Sequence, residues 1–166
     1  MLADSPEFDI RYTEPTDETA LRKWLADEAV LNQFPATTPA EINMLVPNWI
    51  GFHRFKSSLT ALYQGEVVGI GTLLLMPYYK LIHHCLTSVV VDPKHQGQGF
   101  GTALVRNLKH LAKDYFHFQL MYAEIYDGSK LESILKKQGF KETLRQQKFV
   151  KSNGVYRGRI LLEVDL

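Results

Sequence analysis

The segment Gln96-Gly97-Gln98-Gly99-Phe100-Gly101 constrains this chain most, because it separates a strand-like run from a helix-like one. Upstream, residues 81–91 form an apolar run stopped by Asp92-Pro93, since proline cannot donate to a β-ladder. Downstream, Leu104, Val105, Leu108, Leu111, Ala112 and Tyr115 recur at helical spacing, with Arg106, Lys109 and Lys113 on the other side. A strand thus enters a glycine turn that opens a helix. Glycines let that turn be tight and let backbone approach a ligand closely. The first amides of a helix lack intrahelical acceptors, and the helix dipole favours an anion beside them. A diphosphate offers several acceptor oxygens to such amides, and Lys94 and Arg106 add charge at the rim. The same glycines also suit a strand-to-helix turn that holds no ligand.

Two phosphate loops are excluded by spacing. A Walker A loop needs Gly-Lys-Ser/Thr after its glycines, and here Gly101 is followed by Thr102-Ala103. A dinucleotide fingerprint runs G-x-G-x-x-G within a βαβ series, whereas these glycines run G-x-G-x-G.

Other elements follow from pattern. Residues 8–12 alternate as a half-buried strand, and Thr16 offers an N-cap to a helix carrying Leu21, Trp24 and Leu25. Thr38-Pro39-Ala40-Glu41 is a capping box opening a second helix, which Pro47 is expected to kink or split. Residues 58–63 and 67–76 read as strands joined at Gln64-Gly65-Glu66. Residues 119–126 read as a strand, 130–138 as a helix closed by Gly139, and 142–151 and 156–164 as strands turning at Asn153-Gly154. The order is β-α-α-β-β-β-α-β-α-β-β. Hairpins dominate, which argues against a doubly wound fold and for a mixed α+β architecture with helices on both faces of one sheet.

The stretch from Ser88 through Asp92-Pro93 and Gln96, Gly99 and Gly101 to Leu104 resembles motif A of the GCN5-related N-acetyltransferase (GNAT) superfamily. Gly139-Phe140 resembles a second, weaker signature of that superfamily, and the element order is similar throughout. The resemblance implies a single domain over residues 8–166, with a mostly antiparallel sheet of about seven strands and about four helices. It implies acetyl-CoA as co-substrate, with the backbone of Val89, Val90 and Val91 taking the pantetheine arm like an added strand. Gln96, Gly97, Gln98, Gly99, Phe100, Gly101 and Thr102 are the implied pyrophosphate cradle. The activity implied is direct acetyl transfer to a primary amine, of a small molecule or a protein N-terminus, by a monomer or homodimer. Trp24 to Asp27 and Phe34-Pro35 loosely resemble members that modify protein N-termini.

Acetyl transfer needs a proton acceptor for the amine. Glu124, in Tyr122-Ala123-Glu124-Ile125-Tyr126, is the candidate base, on a largely apolar strand where a carboxylate loses solvation. A salt-bridged or solvent-facing glutamate is the competing reading. Relatives often place a tyrosine acid four residues before the glycine of Gly-Phe; here that residue is Leu135, and the usual asparagine at the start of the same helix is Gly128 or Ser129. Tyr126 or Tyr122 can substitute, although strand aromatics are more often core. The missing groups also admit a second function, an acyl-CoA-binding sensor with little catalysis.

Composition sets the remaining bounds. A net charge of +1 does not mark a nucleic-acid or membrane partner, and no apolar stretch is long enough to span a bilayer. The N-terminus lacks a secretory pattern and the lone Cys85 cannot pair internally, so a cytoplasmic location is expected. Cys85 sits in an apolar run and reads as a core thiol. His83 and His84 are adjacent on the expected strand and should face opposite ways, so no metal site is expected.

Overall fold

A computed structural model describes residues 1–166. Seven strands form one sheet in the order β1-β2-β3-β4-β5-β7-β6. They are β1 (Phe8–Tyr12), β2 (Ser58–Tyr63), β3 (Glu66–Leu75), β4 (His84–Val91), β5 (Leu120–Tyr126), β6 (Lys141–Ser152) and β7 (Val155–Asp165). Every neighbouring pair is antiparallel except β4 and β5. The helices are α1 (Glu18–Leu25), α2 (Glu28–Leu31), α3 (Pro39–Ile50), α4 (Phe100–His110) and α5 (Leu131–Lys137).

Both hairpin signals act as two-residue turns with left-handed backbone: Gln64 and Gly65 have φ of 51° and 79°, Asn153 and Gly154 of 49° and 80°. Gly139, φ 90°, ends α5 in a Schellman arrangement: its N–H reaches Lys136 O and that of Phe140 reaches Leu135 O. That turn seats Leu135 and Phe140 in the main core.

The sheet has a core on each side. One joins α4 and α5 to Leu73, Cys85, Met121, Ile160 and Leu162; the other joins α1, α2 and α3 to Ile70 and Val90. A bulge after Ala61/Leu62, where Val68 is the extra residue, lets Val68 face the first core while Ile70 faces the second.

Several local expectations are corrected. Thr16 does not cap α1. It lies in a 3₁₀ turn, Pro15–Asp17, and Asp17 stands at the junction. Pro47 does not split α3: it lies three residues from the C-terminal end, and the helix runs on to Ile50. The short α2, capped by Asp27 accepting from the Ala29 N–H, was not foreseen. After α4 the chain widens into a π-type turn, Leu111–Tyr115. His83 precedes β4 rather than lying on it, so its ring meets that of His84 edge-on at 4.7 Å instead of facing the opposite side.

Asp17 ties the α1 layer to the sheet edge. Arg11 of β1 donates to both carboxylate oxygens at 2.8 Å, Thr60 of β2 donates at 2.7 Å, and the Glu14 N–H at 2.9 Å. Asp17 is buried. Burial alone would raise its pKa, but the guanidinium and the other donors outweigh burial and hold it below the ordinary carboxylate value. Its stabilising effect is therefore complete above the usual carboxylate pKa of about 3.9 and is lost as pH falls through the lower folded value. Asp17→Asn should cost about 3 kcal/mol at neutral pH, because it leaves Arg11 with only the longer, 3.9 Å contact to the exposed Glu14. The difference from wild type should shrink below about pH 4. Urea denaturation of both proteins at neutral pH and at pH 3 measures both effects.

Candidate active site

The parallel β4–β5 pairing is short. It runs from His84↔Leu120 to Thr87↔Ala123 and then stops. Beyond it each strand stays paired on its outer side: β4 with β3 as far as Gly69↔Val91, β5 with β7 as far as Tyr126↔Arg159. The sheet therefore opens as a wedge, and the inner edge of Ser88 to Val91 has no strand partner. A cleft of about 530 Å³ lies here. Val89, Val90 and Val91 line one wall, Ser129, Lys130 and Ile134 the other, and Val30 and Phe34 from the α2 region close the top.

The glycine turn sits at the end of the β4 wall. Asp92 accepts from the Lys94 N–H and holds the His95 ring, each at 3.0 Å, which shapes the turn after Pro93. Gly97 and Gly99 have φ of 77° and 93°, a region that side chains disfavour. The first α4 amide with a helical acceptor is that of Ala103, on Gly99 O at 3.0 Å. The N–H groups of Phe100, Gly101 and Thr102 have no protein acceptor, which is the arrangement an anion fits. Gln96 donates to Val91 O at 3.4 Å and accepts from the Lys130 ammonium at 3.1 Å, bridging the two walls.

Val89, Val90, Val91, Gln96, Gly97, Gly99, Gly101 and Thr102 all line the cleft. Gln98 and Phe100 do not. The carbonyl of Gln98 accepts from the Ala3 N–H, and the Phe100 side chain is buried against Phe8 and Tyr63. Phe100 thus anchors α4, and only its amide is available to a ligand.

Glu124 is the first β5 residue past the last parallel pair. It is not left in apolar surroundings: Arg159 of β7 donates to it at 3.2 Å. Arg159 also donates to Gln146 and lies over the Phe149 ring, 3.9 Å from its centroid. Tyr126 is 5% exposed, and burial, then the Glu124 charge, push its pKa up. Sequence reasoning missed Arg159, whose only signal was its place in the final hairpin. It also missed Lys130, the α2 residues, and the N-terminal turn whose Ala3 and Met1 side chains face Gly99.

Residues 18–145 match the sequence model of the acetyltransferase (GNAT) family. The chain belongs to that family. No curated protein matches its sequence. Solved structures share the fold across nearly the whole GNAT chain. The structure of yncA from Salmonella typhimurium with its cofactor acetyl-CoA superposes with a TM-score of 0.81 at 18% identity, covering 96% of this chain and 94% of that one. The ribosomal-protein-alanine N-acetyltransferase from Brucella melitensis gives 0.78 at 22% identity, covering 95% and 99%. An N-acetyltransferase from Staphylococcus aureus Mu50 gives 0.77 at 18%, covering 95% and 98%. No helix of this GNAT chain is long and apolar enough to cross a membrane.

Cys85 lies on β4 with no exposed surface, and burial pushes its thiol up to about 12. It should resist a disulfide reagent such as DTNB at pH 8 in the native protein and react with one equivalent in guanidinium. Native-state reaction at the denatured rate would contradict this placement.

Proposed function

We propose that this GNAT chain is an acetyl-CoA-dependent N-acetyltransferase that transfers the acetyl group directly to a primary amine in a ternary complex. The observation that carries the proposal is the unpaired β4 edge leading into three acceptor-free amides at the start of α4. The edge suits the amides of a pantetheine arm, and the helix start suits a diphosphate. These features fit coenzyme A, with Gln96 to Thr102 as the cradle and Phe100 contributing backbone alone.

An arm running along Val91 to Val89 brings its thioester toward the apex of the wedge, where Glu124 stands. The amine nitrogen bonds to the thioester carbonyl carbon, the carbon–sulfur bond breaks, and the thiolate departs. Glu124 takes the proton the amine must lose, directly or through one water. Much of the acceleration comes from holding amine and thioester together.

The proton for the thiolate comes from solvent. Leu135 has no proton to give and is fully buried, with its carbonyl committed to the end of α5. Tyr126 can donate a hydrogen bond to the thiolate, while burial and then the Glu124 charge make it hold its own proton more firmly than a free tyrosine.

Titration calorimetry with acetyl-CoA should show binding by wild type, and no binding at high micromolar ligand overturns the proposal. Gly99→Val should abolish that binding, since its φ of 93° disfavours a side chain and a Cβ would come within 3.0 Å of Ala3. Glu124→Gln should leave acetyl-CoA affinity in place and lower kcat on an amine substrate about a hundredfold, the lower range for loss of a general base. Release of free CoA thiol measures that rate. An unchanged kcat removes Glu124 from the role.

A further inference from the structure

The N-terminal turn reaches the glycine turn and bonds to it. Leu2–Asp4 form a single 3₁₀ turn, with Leu2 and Ala3 packed against the main core. The Phe8 N–H on Ser5 O at 3.1 Å ties it to β1, whose Phe8 ring lies 5.4 Å from that of Phe100. From this base the Ala3 N–H donates to Gln98 O at 3.2 Å. Among the carbonyls of Gln96, Gly97 and Gln98, that of Gln98 is the one bonded within the protein. Met1 Cε and Ala3 Cβ stand 3.4 and 3.0 Å from where a Cβ on Gly99 would lie, so they close one side of that residue.

This bond fixes more than a carbonyl. The peptide joining Gln98 to Gly99 is trans and planar, so its N–H points opposite to its C=O. With Gln98 O turned to Ala3, the Gly99 N–H is turned away from the N-terminal turn. Gly99 lines the cleft, and its N–H has no acceptor in the protein. It therefore joins those of Phe100, Gly101 and Thr102 as a further free amide before the first bonded one, that of Ala103.

Nothing within the glycine turn itself holds this peptide. Gly99, at φ 93°, tolerates φ of either sign, so a half-turn of the peptide unit is sterically open to it. The turned unit would present Gln98 O to the cleft in place of the Gly99 N–H. A carbonyl oxygen repels an anion where an N–H attracts one. The Ala3 bond thus selects between a peptide that favours a diphosphate and one that opposes it.

We infer that the turn Leu2–Asp4 is a positioning element of the cofactor site, in which the Ala3 N–H holds the Gln98–Gly99 peptide so that the Gly99 N–H meets the diphosphate of acetyl-CoA. The inference rests on coenzyme A occupying the cleft. The turn lies outside residues 18–145, the part that matches the family model, so that match does not supply this role.

Two variants separate the bond from the packing around it. Ala3→Pro removes the donor, whereas Ala3→Gly keeps it and removes the methyl beside Gly99. Resistance of Cys85 to DTNB reports that each variant folds. Titration calorimetry should give Ala3→Pro a dissociation constant for acetyl-CoA about tenfold above wild type, and Ala3→Gly one close to wild type. In isotope-labelled wild type, the Gly99 amide proton should move downfield when CoA is added, as a newly hydrogen-bonded amide does. That movement should be lost in Ala3→Pro. Wild-type affinity in Ala3→Pro overturns the inference and leaves acetyl-CoA binding standing. Equal losses in the two variants overturn it as well, because they trace the effect to packing. Should Ala3→Pro fail to fold, the wild-type spectrum decides: a downfield Gly99 shift supports the inference, and a Gly99 amide unmoved by CoA overturns it. No binding of acetyl-CoA by wild type overturns this inference together with the proposed function.

Discussion

The separation of β4 and β5 after Thr87 and Ala123 is the constraint on which the rest of the site depends. Opening a sheet in its middle exposes backbone groups that would otherwise pair, and burying them unpaired costs as much as several lost hydrogen bonds. The fold limits that cost by satisfying each leg on its outer side. β3 follows β4 to Val91, where the Asp92 N–H closes on Val68 O. β7 follows β5 to Tyr126, where Asp127 and Gly158 exchange bonds: the Asp127 N–H donates to Gly158 O, and the Gly158 N–H donates to the Asp127 carboxylate at 3.0 Å. Any side chain at position 158 would overlap that carboxylate, so the close approach requires glycine. What remains unpaired is the inner edge of each leg, and that of β4 faces the cleft.

Helix positions follow from the same opening. α4 begins where the β4 leg ends, so its free amides face along the wedge rather than into the core. Phe100, buried at 1% exposure between Phe8 and Tyr63, fixes that start. α5 packs close to it, with Ile134 standing where a Cβ on Gly101 would come within 3.1 Å. The turn before α4 is thus held from both ends and needs little reorganisation when an anion arrives.

The parts of this arrangement that show in the sequence are those whose cause is local. The left-handed turns at Gln64-Gly65 and Asn153-Gly154, the capping box at Thr38 and the close of α5 at Gly139 each need only a few neighbouring residues, and each is legible. The glycine turn shows for the same reason, whereas Val89 to Val91 stand out only through the resemblance to the family motif. What was hidden depends on contacts far along the chain. Asp17 is named by Arg11 and Thr60, not by its neighbours, so Thr16 looked like the better cap. Glu124 looked isolated on an apolar strand because its partner lies 35 residues away. The Gln98 carbonyl accepts from the N–H of Ala3, 95 residues earlier, a contact no local pattern announces.

Leu135 shows how a departure from a family pattern can be read physically. The residue is fully buried in the main core, and its carbonyl takes the Phe140 N–H that closes α5. A hydroxyl at this depth would need a partner, and an unmatched one costs about 1–3 kcal/mol. Leucine removes that cost and the proton together. On the other leg of the wedge Glu124, Arg159, Gln146 and Phe149 form one connected group. That group belongs to β5, β6 and β7, whereas the glycine turn belongs to β4 and α4. The two sides meet at the cleft, where Lys130 of the far wall donates to Gln96 of the β4 side at 3.1 Å, so a substitution on one wall should be felt on the other.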